Sequence, residues 1–378
     1  MNPAIYVLFG FLISFGASYL LTRTLIDVAK KKELFDANNC LKQHSEKVCA
    51  LGGVGIFSAF WLAAFLAGNG FAVRDIPCLF AGAFILFLAG VKDDLTGMPA
   101  LKRLALQIGV ASLLFYSGIR ISALPGMDET LPLLLSYLLT TLFIGAVLNA
   151  YNFIDGINGL AGGLGAISGL AFFGLFLACG EIKMALMAVS LTGALLGFLW
   201  FNFDRARVFM GDNGSTFMGL MLAWFSIVFL SERVQTEVEP LVSPVFFMAI
   251  LFVPLADMAK VVLGRLWRKS SPFRGDRTHI HHLMAMHGFG PAMTCWMLYG
   301  WQFTIIIFSL FLLPQNAFRA IALLALPAGL PYFSFYLYDR AKKRKRPFEI
   351  RPSENEKQLE SIYTHDSLNH KSKHATLP

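Results

Sequence analysis

Long apolar runs recur along almost the whole sequence, at roughly 4–22, 51–68, 76–91, 104–118, 131–148, 160–179, 184–201, 216–231, 242–263, 292–313 and 317–338. A helix crossing the hydrocarbon core of a bilayer needs about 20 apolar residues. It satisfies its own backbone hydrogen bonds, which an open sheet in lipid does not. The runs therefore restrict the chain to an all-α, polytopic integral membrane protein with about 11 transmembrane helices. Composition agrees: 56% of the residues are apolar, mean hydropathy is +0.59 and only 15% are charged, against about 25% in soluble domains. The first run follows no basic segment and is long for a signal peptide, so it is expected to be a retained helix.

Charge sets the expected orientation. With the N-terminus outside, all of the 32 Lys and Arg fall inside except Arg74, Arg120, Lys183, Arg233 and Arg319. Basic loops stay cytoplasmic, so the inside segments are 23–50, 92–103, 149–159, 202–215, 264–291 and the tail. The net charge of +8 then reflects topology and contact with anionic membrane lipids, not nucleic acid. Residues 1–338 form the transmembrane domain, and 339–378 form a basic tail expected to be disordered. The five cysteines are scattered, with no zinc or disulfide spacing.

The inside loops hold nearly all the polar clusters. The first carries Lys47 ahead of Gly52 and Gly53, and the second carries Asp93, Asp94 and Arg103. The third carries Asn149, Asn152, Asp155 and Asn158 among glycines. The fourth carries Asn202 and then Phe209, Met210, Gly211, Asp212, Asn213, Gly214 and Ser215. The fifth carries Arg277, His279, His281 and His282. An acid at the mouth of a membrane helix is a functional candidate because it is costly near lipid, although Gly211 to Gly214 alone would suit an ordinary turn.

The chemistry of these residue types is specific. Asp93 with Asp94 reads either as a metal- or substrate-activating pair or as an acidic helix end. Asp155 and Asp212 on the same face make a hard-oxygen set, suited to Mg²⁺ (or Mn²⁺ in its place), which completes its shell with water and phosphates. Glycines opening the sixth and eighth runs present backbone N–H groups to phosphate or allow close helix packing. The histidines read as a zinc site, as solvated or satisfied side chains, or, with Arg277, as anion donors. Phe209 could pack at the interface or stack on a base. Together the loops suit transfer of a phosphate-linked group from a nucleotide to a lipid, on the cytoplasmic face.

The motifs resemble those of the polyprenyl-phosphate N-acetylhexosamine-1-phosphate transferases over roughly residues 41–287. They are Asp93-Asp94, the Asn149 to Gly156 stretch, the Phe209 to Ser215 stretch and the Asp276 to His282 stretch. The His-x-His-His form looks like the branch that starts O-antigen, enterobacterial common antigen or teichoic acid glycans. The resemblance implies a UDP-N-acetylhexosamine donor, undecaprenyl phosphate as acceptor and an inner-membrane location, and leaves a homodimer open. It implies Asp212 as the Mg²⁺ ligand and Asp93 or Asp94 acting on the lipid phosphate. Asn152 and Asp155 would shape the nucleotide and sugar end, and Phe209 and Asn202 would bound a uracil pocket. Arg277, His279, His281 and His282 would meet donor phosphates or sugar, with Arg103 a basic group near the active face. Two departures stand out: Asn158 where many members have Asp, and Cys49 where proline often precedes the paired glycines, near Lys47. A peptidoglycan phospho-MurNAc-pentapeptide transferase and a secondary transporter are the competing readings. The sequence does not choose between direct attack and a covalent aspartyl intermediate.

Overall fold

The computed structural model describes residues 3–32, 48–67, 76–123, 130–230, 244–269 and 278–312, with single positions between 319 and 334. Lys47, Arg277 and the tail at 339–378 lie outside the described residues, as does most of the predicted span 317–338.

The described residues are helical, with no β-strand among them. In chain order the helices are α1 (Pro3–Lys32), α2 (Gly52–Ala67), α3 (Ile76–Thr96), α4 (Ala100–Ser117), α5 (Leu133–Ile154) and α6 (Leu160–Ala178). They continue with α7 (Ile182–Asn202), α8 (Gly211–Leu230), α9 (Pro244–Ile250), α10 (Phe252–Trp267), α11 (Ile280–Met286) and α12 (Pro291–Phe311). Each predicted span up to 292–313 has helix over it. Seven of the described helices are long and apolar enough to cross a membrane.

Helix α8 is the axis of the first unit, residues 1–326. In its most apolar stretch 94% of residues are buried, against 28% in α1. It packs on α5, α3 and α2. Lipid is as apolar as leucine, so these helices associate through close packing and buried polar contacts more than through the hydrophobic effect. Gly193 and Gly197 of α7 let the backbone of α1 approach, and the Ser18 hydroxyl donates to the Ala194 carbonyl at 2.6 Å. Where α2, α3 and α8 meet, Phe57 packs its ring on Phe87 (4.4 Å between centroids) and on Phe217 (5.0 Å). Of the second unit, residues 327–378, only a few positions are described; there the Ser334 hydroxyl donates to the Pro331 carbonyl at 2.7 Å.

The structure departs from the sequence reading at the ninth span, 242–263. Instead of one helix there are two, α9 and α10, parted at Leu251. The break is held from outside. Gln302 of α12 donates its amide to the carbonyls of Ala249 (2.6 Å) and Ile250 (2.9 Å) and accepts the Val253 N–H at 2.9 Å. The Ser168 hydroxyl of α6 donates to the Ile250 carbonyl at 2.7 Å. A helix may be interrupted at membrane depth only where neighbours satisfy the freed backbone groups. The break redirects the chain into α10, whose buried Asp257 reaches the histidine segment.

Candidate active site

Two loop segments start α2 and α8 side by side. The Phe209 N–H donates to the Cys49 carbonyl (2.8 Å), Gly52 N–H to the Phe209 carbonyl (2.9 Å) and Gly53 N–H to the Met210 carbonyl (2.9 Å). Gly211 turns the chain with φ of 76°, a conformation that a side chain would resist. Gly53 lies against Asn213 Oδ1 and the Gly214 backbone, and Gly90 against the Asn213 backbone, so a Cβ on either would collide. The first turn of α8 is thus wedged between α2 and α3.

The acids of α3 meet that turn in different ways. Asp94 accepts the backbone N–H of Asp212 at 2.9 Å on Oδ1. On Oδ2 it accepts that of Asn213 at 3.1 Å and the Asn213 amide at 2.5 Å. It serves α8 as an N-cap supplied by another helix, satisfying donors that a helix start leaves open. Asp93 faces Arg103. The turn at Gly97 (φ 74°) and Pro99 brings α4 back on α3 and sets Arg103 beside Asp93. Arg103 Nη1 donates to Asp93 Oδ2 and to Asp212 Oδ2, both at 2.8 Å. The other oxygen of Asp212 accepts from the Asn152 amide at 2.8 Å, and that amide also reaches Ser215 Oγ at 3.1 Å. A cavity of about 20 Å³, lined by Gly90, Asp93, Arg103, Gln107, Asp212 and Thr216 among others, adjoins this centre.

Helix α5 and the loop after it connect this centre to the histidines. Asn152 touches Asp212, the Phe153 ring lies 5.9 Å from that of His279, and Gly156 abuts the ring of His281. Asp155, half-buried, ends α5. The His279 and His281 rings stack at 5.7 Å, and that of His282 lies 4.3 Å from His281. Burial, and then the neighbouring His282, push the His281 imidazole down to about 4, so it is neutral at pH 7. Its Nδ1 is buried without a hydrogen-bond partner among the described residues.

Asp257 fixes the histidine segment, and the sequence reading passed over it. Only 1% exposed, it binds His279 Nδ1 through Oδ2 (2.7 Å) and accepts the Ile280 N–H on Oδ1 (2.7 Å), capping α11. One turn on, Lys260 donates to the Thr278 carbonyl. A lone carboxylate inside an apolar run was the available signal.

Three more predicted contact residues have their amides engaged within the protein. Asn202, buried, accepts the Gly159 N–H (2.8 Å) and donates to the Val208 carbonyl (2.8 Å), stapling the third loop to the fourth. Asn149 donates to Gln107 Oε1 (2.8 Å) and to the Gly145 carbonyl (2.7 Å). Asn158 donates to the Asp204 carbonyl at 3.1 Å. Phe209 is half-buried.

Among the described residues no three acidic, histidine or cysteine side chains converge as a ready-made metal cage. The donor chemistry nevertheless fits Mg²⁺, which takes one or two carboxylates and borrows its remaining ligands from phosphate and water. Asp93 and Asp212 already aim one oxygen each at a single positive nitrogen.

Fold and site together define a multi-pass helical membrane protein with an acid, amide and guanidinium centre at its helix ends. The sequence model of the family described as Glycosyl transferase family 4 matches residues 76–230. The chain is 31% identical over 270 residues to an undecaprenyl-phosphate alpha-N-acetylglucosaminyl 1-phosphate transferase of Escherichia coli (strain K12), covering 69% of this chain and 72% of the relative. It is 29% identical over 306 residues to a probable undecaprenyl-phosphate N-acetylglucosaminyl 1-phosphate transferase of Bacillus subtilis (strain 168), covering 80% and 84%. It is 35% identical over 275 residues to a decaprenyl-phosphate N-acetylglucosaminephosphotransferase of Mycobacterium tuberculosis (strain ATCC 25618 / H37Rv), covering 66% and 67%. The chain belongs to the polyprenyl-phosphate N-acetylhexosamine-1-phosphate transferase family.

Proposed function

We propose that this protein transfers GlcNAc-1-phosphate from UDP-GlcNAc to undecaprenyl phosphate at the cytoplasmic face of the inner membrane. A phosphate oxygen of the lipid forms a bond to the sugar-linked phosphorus of the donor. The bond to the bridging oxygen breaks, and UMP leaves with its electron pair. The observation that carries this reading is the convergence of Asp93, Asp212, Asn152 and Arg103 at the start of α8. The relatives' names supply the sugar and the lipid.

Asp212, with Asp93 beside it, would hold Mg²⁺, which when bound neutralises charge on the donor diphosphate. Asn152 orients Asp212 through its amide. Asp93 is the better candidate for the acceptor side, because the carboxylate of Asp94 is engaged by α8. The histidine segment, anchored by Asp257, supplies imidazole nitrogens towards the donor. Lys47 and Arg277 would add positive charge.

Purified protein given Mg²⁺, undecaprenyl phosphate and a panel of UDP-sugars should release UMP with UDP-GlcNAc. Release with UDP-MurNAc-pentapeptide alone would sink the reading. The proposed arrangement of eleven spans, with the N-terminus outside, puts Arg120 outside and Arg205 inside. A membrane-impermeant thiol reagent added to whole cells should label Arg120→Cys and spare Arg205→Cys, and the reverse would turn the site away from cytoplasmic UDP-sugar.

A further inference from the structure

The way Arg103 is held differs from that of a permanently paired arginine. An arginine built for lasting pairing presents its planar fork to a carboxylate, two N–H groups to two oxygens. Here one nitrogen, Nη1, lies 2.8 Å from an oxygen of Asp93 and 2.8 Å from an oxygen of Asp212. Among the described residues its side chain makes no other hydrogen bond. A single positive nitrogen between two carboxylates from separate helices occupies the place a point cation would take. The arrangement answers an electrostatic need. Asp93, Asp94 and Asp212 crowd the start of α8, and like charges this close repel unless a cation intervenes. Arg103 can also leave: its side chain is 42% exposed, and its neighbours Leu101 and Lys102 on α4 are exposed.

We propose that Arg103 is a tethered stand-in for the divalent cation: it competes with the metal for Asp93 and Asp212, and is released by metal binding to meet the donor's phosphates. This rests on the proposed Mg²⁺-dependent transfer. In the metal-free protein the guanidinium keeps the two carboxylates together and charge-compensated. When a divalent ion takes those oxygens, the side chain is displaced towards solvent, where the nucleotide diphosphate arrives.

The consequence is opposite in sign for binding and for turnover. A residue that helps catalysis should, when removed, improve metal affinity. The test is Mn²⁺ binding to the purified full chain without nucleotide, followed by electron paramagnetic resonance. Arg103→Gln should bind Mn²⁺ about tenfold more tightly than wild type, the scale of one partly exposed charge-assisted contact, while UMP release falls. Equal or weaker Mn²⁺ binding by Arg103→Gln, with normal binding by wild type, overturns the competition and leaves the transfer reading standing. No Mn²⁺ binding by either protein overturns the metal site and this inference with it. Should Arg103→Gln fail to fold, wild type alone decides. Phenylglyoxal modification of Arg103, read by peptide mass spectrometry, should rise when Mg²⁺ is added. Unchanged or reduced modification overturns the proposal.

Discussion

The carboxylate of Asp94 accepts the backbone N–H of Asp212 at 2.9 Å, so one acid of the site fixes the helix that carries another. Its neighbour Asp93 instead faces the shared guanidinium of Arg103. Two adjacent residues of identical chemistry thus hold different positions.

The first prediction separates them. Asp94→Asn removes the charge that caps α8, a change costing roughly 1 kcal/mol or more. Its unfolding temperature should fall, and UDP binding should weaken with it, because Asp212 is displaced. Asp93→Asn should keep its unfolding temperature near wild type, because its carboxylate caps no helix, while turnover drops by roughly two to four powers of ten. Thermal unfolding and calorimetry with UDP on the two variants check this. Identical behaviour of both would remove the distinction.

Asp257→Asn keeps the volume but loses the charge that binds His279 Nδ1 and the α11 N-terminus. UMP release should fall roughly tenfold or more, the scale of a lost buried charge-assisted hydrogen bond. His279→Ala should then add little on top of Asp257→Asn, because both changes disable one unit. Fully additive losses would separate the two residues.

Gln302→Leu takes away the amide that satisfies three backbone groups at the break between α9 and α10. The Ile250 carbonyl keeps the Ser168 hydroxyl, but the Ala249 carbonyl and the Val253 N–H are left open, and each orphaned buried group costs about 1–3 kcal/mol. We expect a lower unfolding temperature in detergent and reduced UMP release, because α10 carries Asp257. An unchanged unfolding temperature would show that the break holds itself.

Protonation of His281 should destabilise the fold. Its folded-state pKa, about 4, lies below the ordinary 6.5, so its contribution is fully present above pH 6.5 and lost as pH falls towards 4. The stake is on the order of 3 kcal/mol. Between pH 6.5 and 4 the unfolding temperature of wild type should drop further than that of His281→Gln. Parallel curves would contradict this.

Hydropathy is a local property, so the sequence by itself determined the membrane helices, the polar character of their connections and the motif residues that gather there. Asn152, Asp212, His279 and His281 were all legible in this way, because glycine-rich polar stretches between apolar runs are conspicuous. Tertiary packing decided which way each group faces and what it meets. Adjacent residues on a helix point about 100° apart, so Asp93 and Asp94 look alike in sequence until α8 and α4 take up their places around α3. The break at Leu251 was hidden for the same reason: the residues around it, Ala249 to Leu255, are apolar, and the groups that satisfy the broken backbone, Gln302 and Ser168, come from helices far along the chain. Asp257 and Arg103 acquire their partners only there, since a carboxylate or a guanidinium is defined by the charge across from it, and that distance is set by packing.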